Sequence, residues 1–433
     1  MQRTFHHGLL GSVAARLIAL ALGLALPLMA QPAVGPRVDD DAARRLFARA
    51  DVVAAIDALK AREPAILDDQ VALAEIPAPP FKEAARAEAI RQRFVAAGLS
   101  DVRIDAAGNV LGVRRGRAPR PHVVISAHID TVFPEGTDVR VTRTGAVLKG
   151  PGIGDDARGL AVLVAVARAL TASAIPTAGT VTFAATVGEE GLGDIRGARH
   201  LVNTELAGTI DAFVSIDGIG MDVINVGVGS RRYKVTFRGP GGHSYGAFGT
   251  ANPIHALGRA VAAVSDLTVP TSPRTTFNVG RIGGGTSVNA IPFEAWFEID
   301  LRSADSAALT ALDARFRALV DQAVAAENAR WNRPGQVGAT LTVVGDRPGG
   351  STAETAAIVR AARSATAAVG EQMTLRAGST DANAAMYRGI PAVTIDAGGT
   401  GSGAHALDER FDSTDSWKGT VRAFLLTVLL AGA

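Results

Sequence analysis

The sequence contains no cysteine, no block of like charge and no apolar run of clear membrane-spanning length. Without cysteine there is no disulfide and no lipid attachment through a lipobox thiol, so stability must rest on a core or on bound metal. Basic residues number 44 against 42 acidic ones and are scattered, which argues against a nucleic-acid surface. No internal repeat or low-complexity tract is present. No G-x-S-x-G occurs, so a serine nucleophile on a strand-to-helix elbow has no support. The glycine-rich GPGIGDDARG lacks the Lys-Ser/Thr of a phosphate cradle, and its two aspartates would repel phosphate.

What is present is a chain of 433 residues, 47% of them hydrophobic, long enough for two domains. Its first residues include Arg3 and Arg16 and no acid, followed by LIALALGLALPLMA. That run is shorter than the roughly 20 residues a spanning helix needs. Pro27 interrupts it and Ala30 offers a small residue for cleavage, so residues 1–30 read as a secretory leader and the mature protein as periplasmic or secreted. Removing the two arginines leaves the charge balanced, 42 against 42. The apolar C-terminal FLLTVLLAGA is short and continues a helical pattern with Trp417 and Phe424, which predicts a packed final helix and no stable membrane span.

Along the chain, helical periodicity over Ala42–Lys60, from Pro64 and over Glu83–Ala97 precedes a regular alternation. VVISAH, TVTFAATVGEE and AFVSID read as strands, with helices over Arg158–Ala172 and Ala198–Glu205 between them. That order predicts an α/β domain with a mainly parallel central sheet. From Arg231 the pattern becomes strand, helix, strand, strand, helix, strand, which is the ferredoxin-like order. The α/β pattern then resumes with PAVTID and a helix from Trp417. A discontinuous α/β domain with a smaller α+β domain inserted in it accounts for this sequence of elements.

PHVVISAHIDTVFP raises the functional question. An apolar strand ends on His128, and Asp130 follows on the same side because strand side chains alternate. Alone, the pair reads more readily as a capped, solvated strand end than as a metal ligand with its supporting carboxylate. The working residues of open α/β sheets gather at the carboxyl ends of strands, and the other ends repeat the theme. Asp155 and Asp156 lie in GPGIGDDARG, Glu189 and Glu190 end a strand, Asp217 ends FVSID, and His405 lies in the loop after PAVTID. Stacked carboxylates would repel and lose solvation. A pair of divalent cations resolves that conflict. Two histidines among carboxylates suit zinc, with cobalt or manganese as replacements.

The motifs ALAEIPAPPFKE, GNVLG, SAHIDTVFP, GIGDDARG, GEEGLGDIRGARHL, GPGGHS, NAIP, GSTDA and AHALDE occur in that order. Together they resemble the M20 family of co-catalytic zinc peptidases and amidohydrolases, on the tripeptidase T and glutamate carboxypeptidase side. The resemblance implies two Zn2+ per subunit, with Asp155 bridging them, His128 and Asp217 completing one site, and Glu190 and His405 the other. It implies that Asp130 orients the His128 ring and that a cis peptide follows Asp155. It also implies residues 31–228 and 347–433 as a catalytic domain and 229–346 as a lid and dimerisation domain, hence a homodimer. The substrate would be a small peptide or an N-acyl amino acid with a free carboxylate, cut by hydrolysis.

Glu189 and Glu190 are neighbours at a strand end and point in different directions, so one can bind metal while the other faces water; Glu189 is the expected general base. His243 in RGPGGHSYG resembles the lid histidine that stabilises an oxyanion, often from a partner subunit. Asn289 and Arg302 resemble groups that receive a substrate carboxylate, arginine by its bidentate fork. His122, His200 and His255 read as packed or solvated. Ala157-Arg158 departs from the lysine many relatives carry after the acidic pair, and is assigned to packing at the helix start. The alternatives are a deacylase or carbamoyl-amino-acid hydrolase with the same ligands, or a binding protein that has lost turnover; retention of Glu189 and every ligand argues against the last.

Overall fold

The computed structural model describes residues 40–433, and the expected leader at residues 1–30 lies outside them. A nine-stranded sheet forms the centre. Its middle strands Thr180–Thr186, His122–His128, Ala212–Ile216 and Ala392–Ile395 are parallel neighbours. Every residue of His122–His128 is buried, the pattern expected of a strand covered on both faces. Val123 and Ile125 pack with Leu160, Val164 and Phe424 in one cluster. Val124 packs with Leu201, Phe213 and Met386 in another. Each such side chain contributes about 1.5–3 kcal/mol on burial.

At the edges the sheet turns antiparallel. Val110–Arg114 pairs Thr180–Thr186, and Ser100–Ile104 pairs Val110–Arg114. On the other side Val223–Gly227 runs antiparallel to Ala392–Ile395. These outer strands are short, and sequence periodicity does not announce them. The helical stretch expected over Ala42–Lys60 is two helices, Asp40–Phe47 and Ala50–Ala61, because Arg49 adopts an extended conformation before the second. The C-terminal helix Trp417–Leu430 is buried from Gly419 to Leu430. Among the described residues no helix is long and apolar enough to cross a membrane.

The second unit has the strand order Thr275–Gly284, Glu294–Ser303, Gly229–Arg238, Gly338–Arg347, all antiparallel. With the helices Pro253–Ser265 and Ser306–Arg330 this is the ferredoxin-like arrangement read from the sequence. Burial alternates along Glu294–Ser303, so one face packs on the helices and the other does not. Tyr233, Val235, Phe237, Phe297 and Phe316 form a separate core there, with Tyr233 and Phe316 stacked at 5.6 Å. Asp305 caps the long helix through Ala308 N.

Arg158 explains the departure at the helix start. It is fully buried. Its Nε donates to the Ala397 carbonyl at 3.0 Å and its Nη2 to the Ser416 carbonyl at 2.7 Å, with Glu63 as ion-pair partner at 2.9 Å. One guanidinium thus joins three separate segments beneath the Asp155 loop, using the planar array of donors that lysine lacks.

Candidate active site

The carboxyl ends of the central strands open into a cavity of about 380 Å³ lined by His128, Asp155, Glu189, Glu190, Asp217 and His405, among others. Backbone anchoring delivers these side chains. The Asp156 carboxylate accepts from His128 N at 3.0 Å and caps the helix Ala157–Ala172 through Gly159 N at 3.1 Å. The Asp130 carboxylate accepts from Glu189 N at 2.9 Å and Glu190 N at 2.8 Å. Its distance to the His128 ring is 3.7 Å, and the ring Nδ1 instead meets the Asp130 carbonyl at 3.0 Å. Asp130 therefore orients the imidazole through its backbone and spends its carboxylate on the two glutamates, which lie not at the strand end expected from the sequence but in the loop just past Thr180–Thr186.

Glu409 is a residue whose role the sequence does not reveal. Buried, it accepts from Gly152 N at 3.1 Å, Gly154 N at 2.7 Å and Asp155 N at 2.9 Å. A Cβ at Gly154 would lie 2.9 Å from Glu409 Oε1, and Gly152 has φ +70°, so the glycines of GPGIG serve this wrap of backbone around a carboxylate. The following Asp155-Asp156 peptide is cis, as the resemblance implies.

Asp155 lies between the two histidines. Its Oδ1 is 2.9 Å from His128 Nε2 and its Oδ2 is 3.0 Å from His405 Nε2. His128, Asp155 and Asp217 offer donor atoms all within 4.8 Å of one another, and so do Asp155, Glu190 and His405. His128, Glu189 and Glu190 form a further such group. The five expected ligands are thus brought together, with Asp155 common to two sets.

The electrostatics show what this cluster lacks. Burial pushes Asp217 up to about 7. Burial also raises Glu189 well above the carboxylate range, against the pull of Arg347. Burial opposes ionisation of Asp155 too, but hydrogen bonds from His128 and His405 prevail and hold it below its ordinary value. Hydrogen bonds to Asp155 and Glu190 push His405 up to about 10. With protein groups alone, protons fill the places where positive charge is needed. Carboxylate and imidazole donors with uncompensated charge fit a pair of divalent cations.

The opposite side of the cavity is basic and comes from the second sheet: Arg232, Arg302 and Arg347. Arg302 lines the cavity, and its Nε donates to Asp300 Oδ2 at 2.6 Å. Arg232 shares the same carboxylate, Nε to Oδ1 at 3.2 Å. Arg347 contacts Glu189. Neither Arg232 nor Arg347 is among the residues read from the sequence; Arg347 is the last residue of the strand Gly338–Arg347, before Pro348. His243 and Asn289 do not line the cavity. Both are exposed: His243 lies on a two-stranded ladder, Gly242–His243 with Ala290–Ile291, and Asn289 immediately precedes its second strand. There His243 Nδ1 accepts from Tyr245 N and Gly246 N, at 3.3 and 3.2 Å. Asn289 Oδ1 accepts from Ser287 Oγ at 2.6 Å. The three dismissed histidines stay outside the cavity lining; His122, for one, packs against Thr182 and Thr209.

Comparison with known proteins follows the same line. The chain resembles in fold a Staphylococcus aureus tripeptidase (22% identity, TM-score 0.70, 85% of this chain and 98% of that one). The Bacillus subtilis YxeP protein, a dinuclear metal-binding peptidase, superposes with TM-score 0.62 at 20% identity over 86% of this chain and 98% of its own. In sequence, the succinyl-diaminopimelate desuccinylase of Xanthomonas oryzae pv. oryzae is 30% identical over 266 residues, 56% of this chain and 69% of that protein. Residues 124–429 match the model of peptidase family M20/M25/M40. The chain belongs to that family of metal-dependent hydrolases.

Proposed function

We propose that the protein is a two-metal exopeptidase that hydrolyses small peptides carrying a free carboxylate, with zinc as the native metal. The observation that carries this reading is Asp155, whose two oxygens each face a histidine of a different donor set. His128 and Asp217 would hold one ion, Glu190 and His405 the other, and Asp155 both. Ions bound there would acidify water and polarise the scissile carbonyl. Glu189, with one oxygen engaged by Arg347, takes the proton of the attacking water and returns it to the leaving amine. Arg302 receives the substrate carboxylate. His243 sits outside the cavity of its own chain, which supports supply of the oxyanion donor by a second copy in a homodimer.

A deacylase is the second reading, and the 30% identical desuccinylase favours it. Export rests on the leader and is read out by the N-terminal mass of the mature protein. Amine release should be measured across dipeptides, tripeptides and N-acyl amino acids with metal-stripped and zinc-restored protein. Zinc-dependent release, best on peptides, is the expected result. Best turnover of N-acyl substrates would select the deacylase, and zinc-independent turnover would refute both.

A further inference from the structure

Arg347 ends the last strand of the inserted sheet, and its guanidinium reaches the segment that carries the proposed base. Nη1 donates to Glu189 Oε1 at 2.9 Å, and Nη2 bonds the Glu189 backbone carbonyl. The two side chains are only 5% and 7% exposed. The inserted sheet fastens the same segment twice more. Arg232 Nη1 donates to the Gly191 carbonyl at 2.8 Å, and Asp346 N donates to the Asp194 carboxylate at 3.1 Å. A rigid planar fork that holds both the side chain and the carbonyl of one residue leaves its carboxylate little freedom to rotate. Oε2 is then the oxygen presented for proton exchange.

We propose that Arg347 is a positioning residue for Glu189, so that the inserted unit sets the geometry of proton transfer at a centre built by the other unit. The proposal rests on the reading of Glu189 as the base. Misplacing a base by about 1 Å lowers turnover by about 100-fold, which is the loss in kcat expected for Arg347→Met, with KM changed less than about threefold and metal content intact. Arg347→Lys keeps the buried charge but loses the fork, and should fall by about tenfold with unchanged melting. That variant keeps the test open if Arg347→Met does not fold. In a Glu189→Gln background, Arg347→Met should change the residual rate by less than about threefold, because a residue acting through another adds nothing once its partner is gone.

Equal losses from Arg347→Met in both backgrounds would overturn the proposal in favour of a structural role. An inactive Glu189→Gln beside fully active Arg347 variants would overturn positioning alone. A fully active Glu189→Gln would remove the base assignment itself.

Discussion

The acidic and basic sides of the cavity are built differently. The acidic side grows from one sheet, and three of its five ligands and the base are set by carboxylates on nearby backbone: Asp156 on His128 N, Asp130 on Glu189 and Glu190 N, Glu409 on the Asp155 loop. The basic side comes from the second sheet and is held by contacts across the cavity, Arg347 to Glu189 and Arg232 to Gly191. The acidic side is therefore preorganised by the folding of one unit. The basic side depends on how two units meet, and that is where specificity and control of the base would reside.

The largest expected effect strikes where the two sides touch. Glu189→Gln should lower kcat by about 10³–10⁴-fold, at the upper end for loss of a general base, with metal content by plasma mass spectrometry unchanged. Next comes the acidic side's own scaffold. Glu409→Ala orphans three amide donors, and at about 1 kcal/mol or more for each it should destabilise the fold by about 3 kcal/mol in urea unfolding. A loss in that range with kcat nearly normal would show the anchor to serve stability and not turnover, and no loss would contradict its role as scaffold. On the basic side, Arg302→Met should raise KM about 10–100-fold for substrates with a free carboxylate and leave amidated substrates unchanged. An equal rise for both would sever Arg302 from carboxylate recognition.

The last effect is graded with pH. In the protein alone, hydrogen bonds to Asp155 and Glu190 raise His405 to about 10. Burial lowers the affinity of His128 for its proton, but Asp130 and Asp155 prevail and raise it well above its ordinary value. Both rings therefore carry protons near pH 7, which a metal must displace. Affinity should fall as pH is lowered, by up to about tenfold per unit for each proton displaced. Calorimetry in buffers of different ionisation enthalpy counts those protons, and none released would contradict this electrostatic picture.

The same contrast explains what was legible in the sequence. His128, Glu189, Glu190 and Asp217 could be read because they lie at or just beyond the carboxyl ends of apolar strands, which have a fixed place in an α/β sheet. The ferredoxin-like order was legible from alternation and helix length. Arg347 and Arg232 were not, since their partners lie in another unit of the chain and no local periodicity records such a pairing. Glu409 sits inside AHALDE, but its task is to hold backbone 254 residues away. The short outer strands Ser100–Ile104 and Val223–Gly227 were missed because they are edge-side and only partly apolar. His243 was legible as a motif while its address was not: the chain's own fold leaves it on an exposed ladder.

The central claim is that Asp155 joins two metal sites. Zinc titration of the metal-stripped protein, followed by native mass spectrometry, tests it most directly. The account predicts two ions per chain in the wild type and at most one, weakly held, in Asp155→Ala. A single ion in the wild type, or two retained by Asp155→Ala, would contradict it.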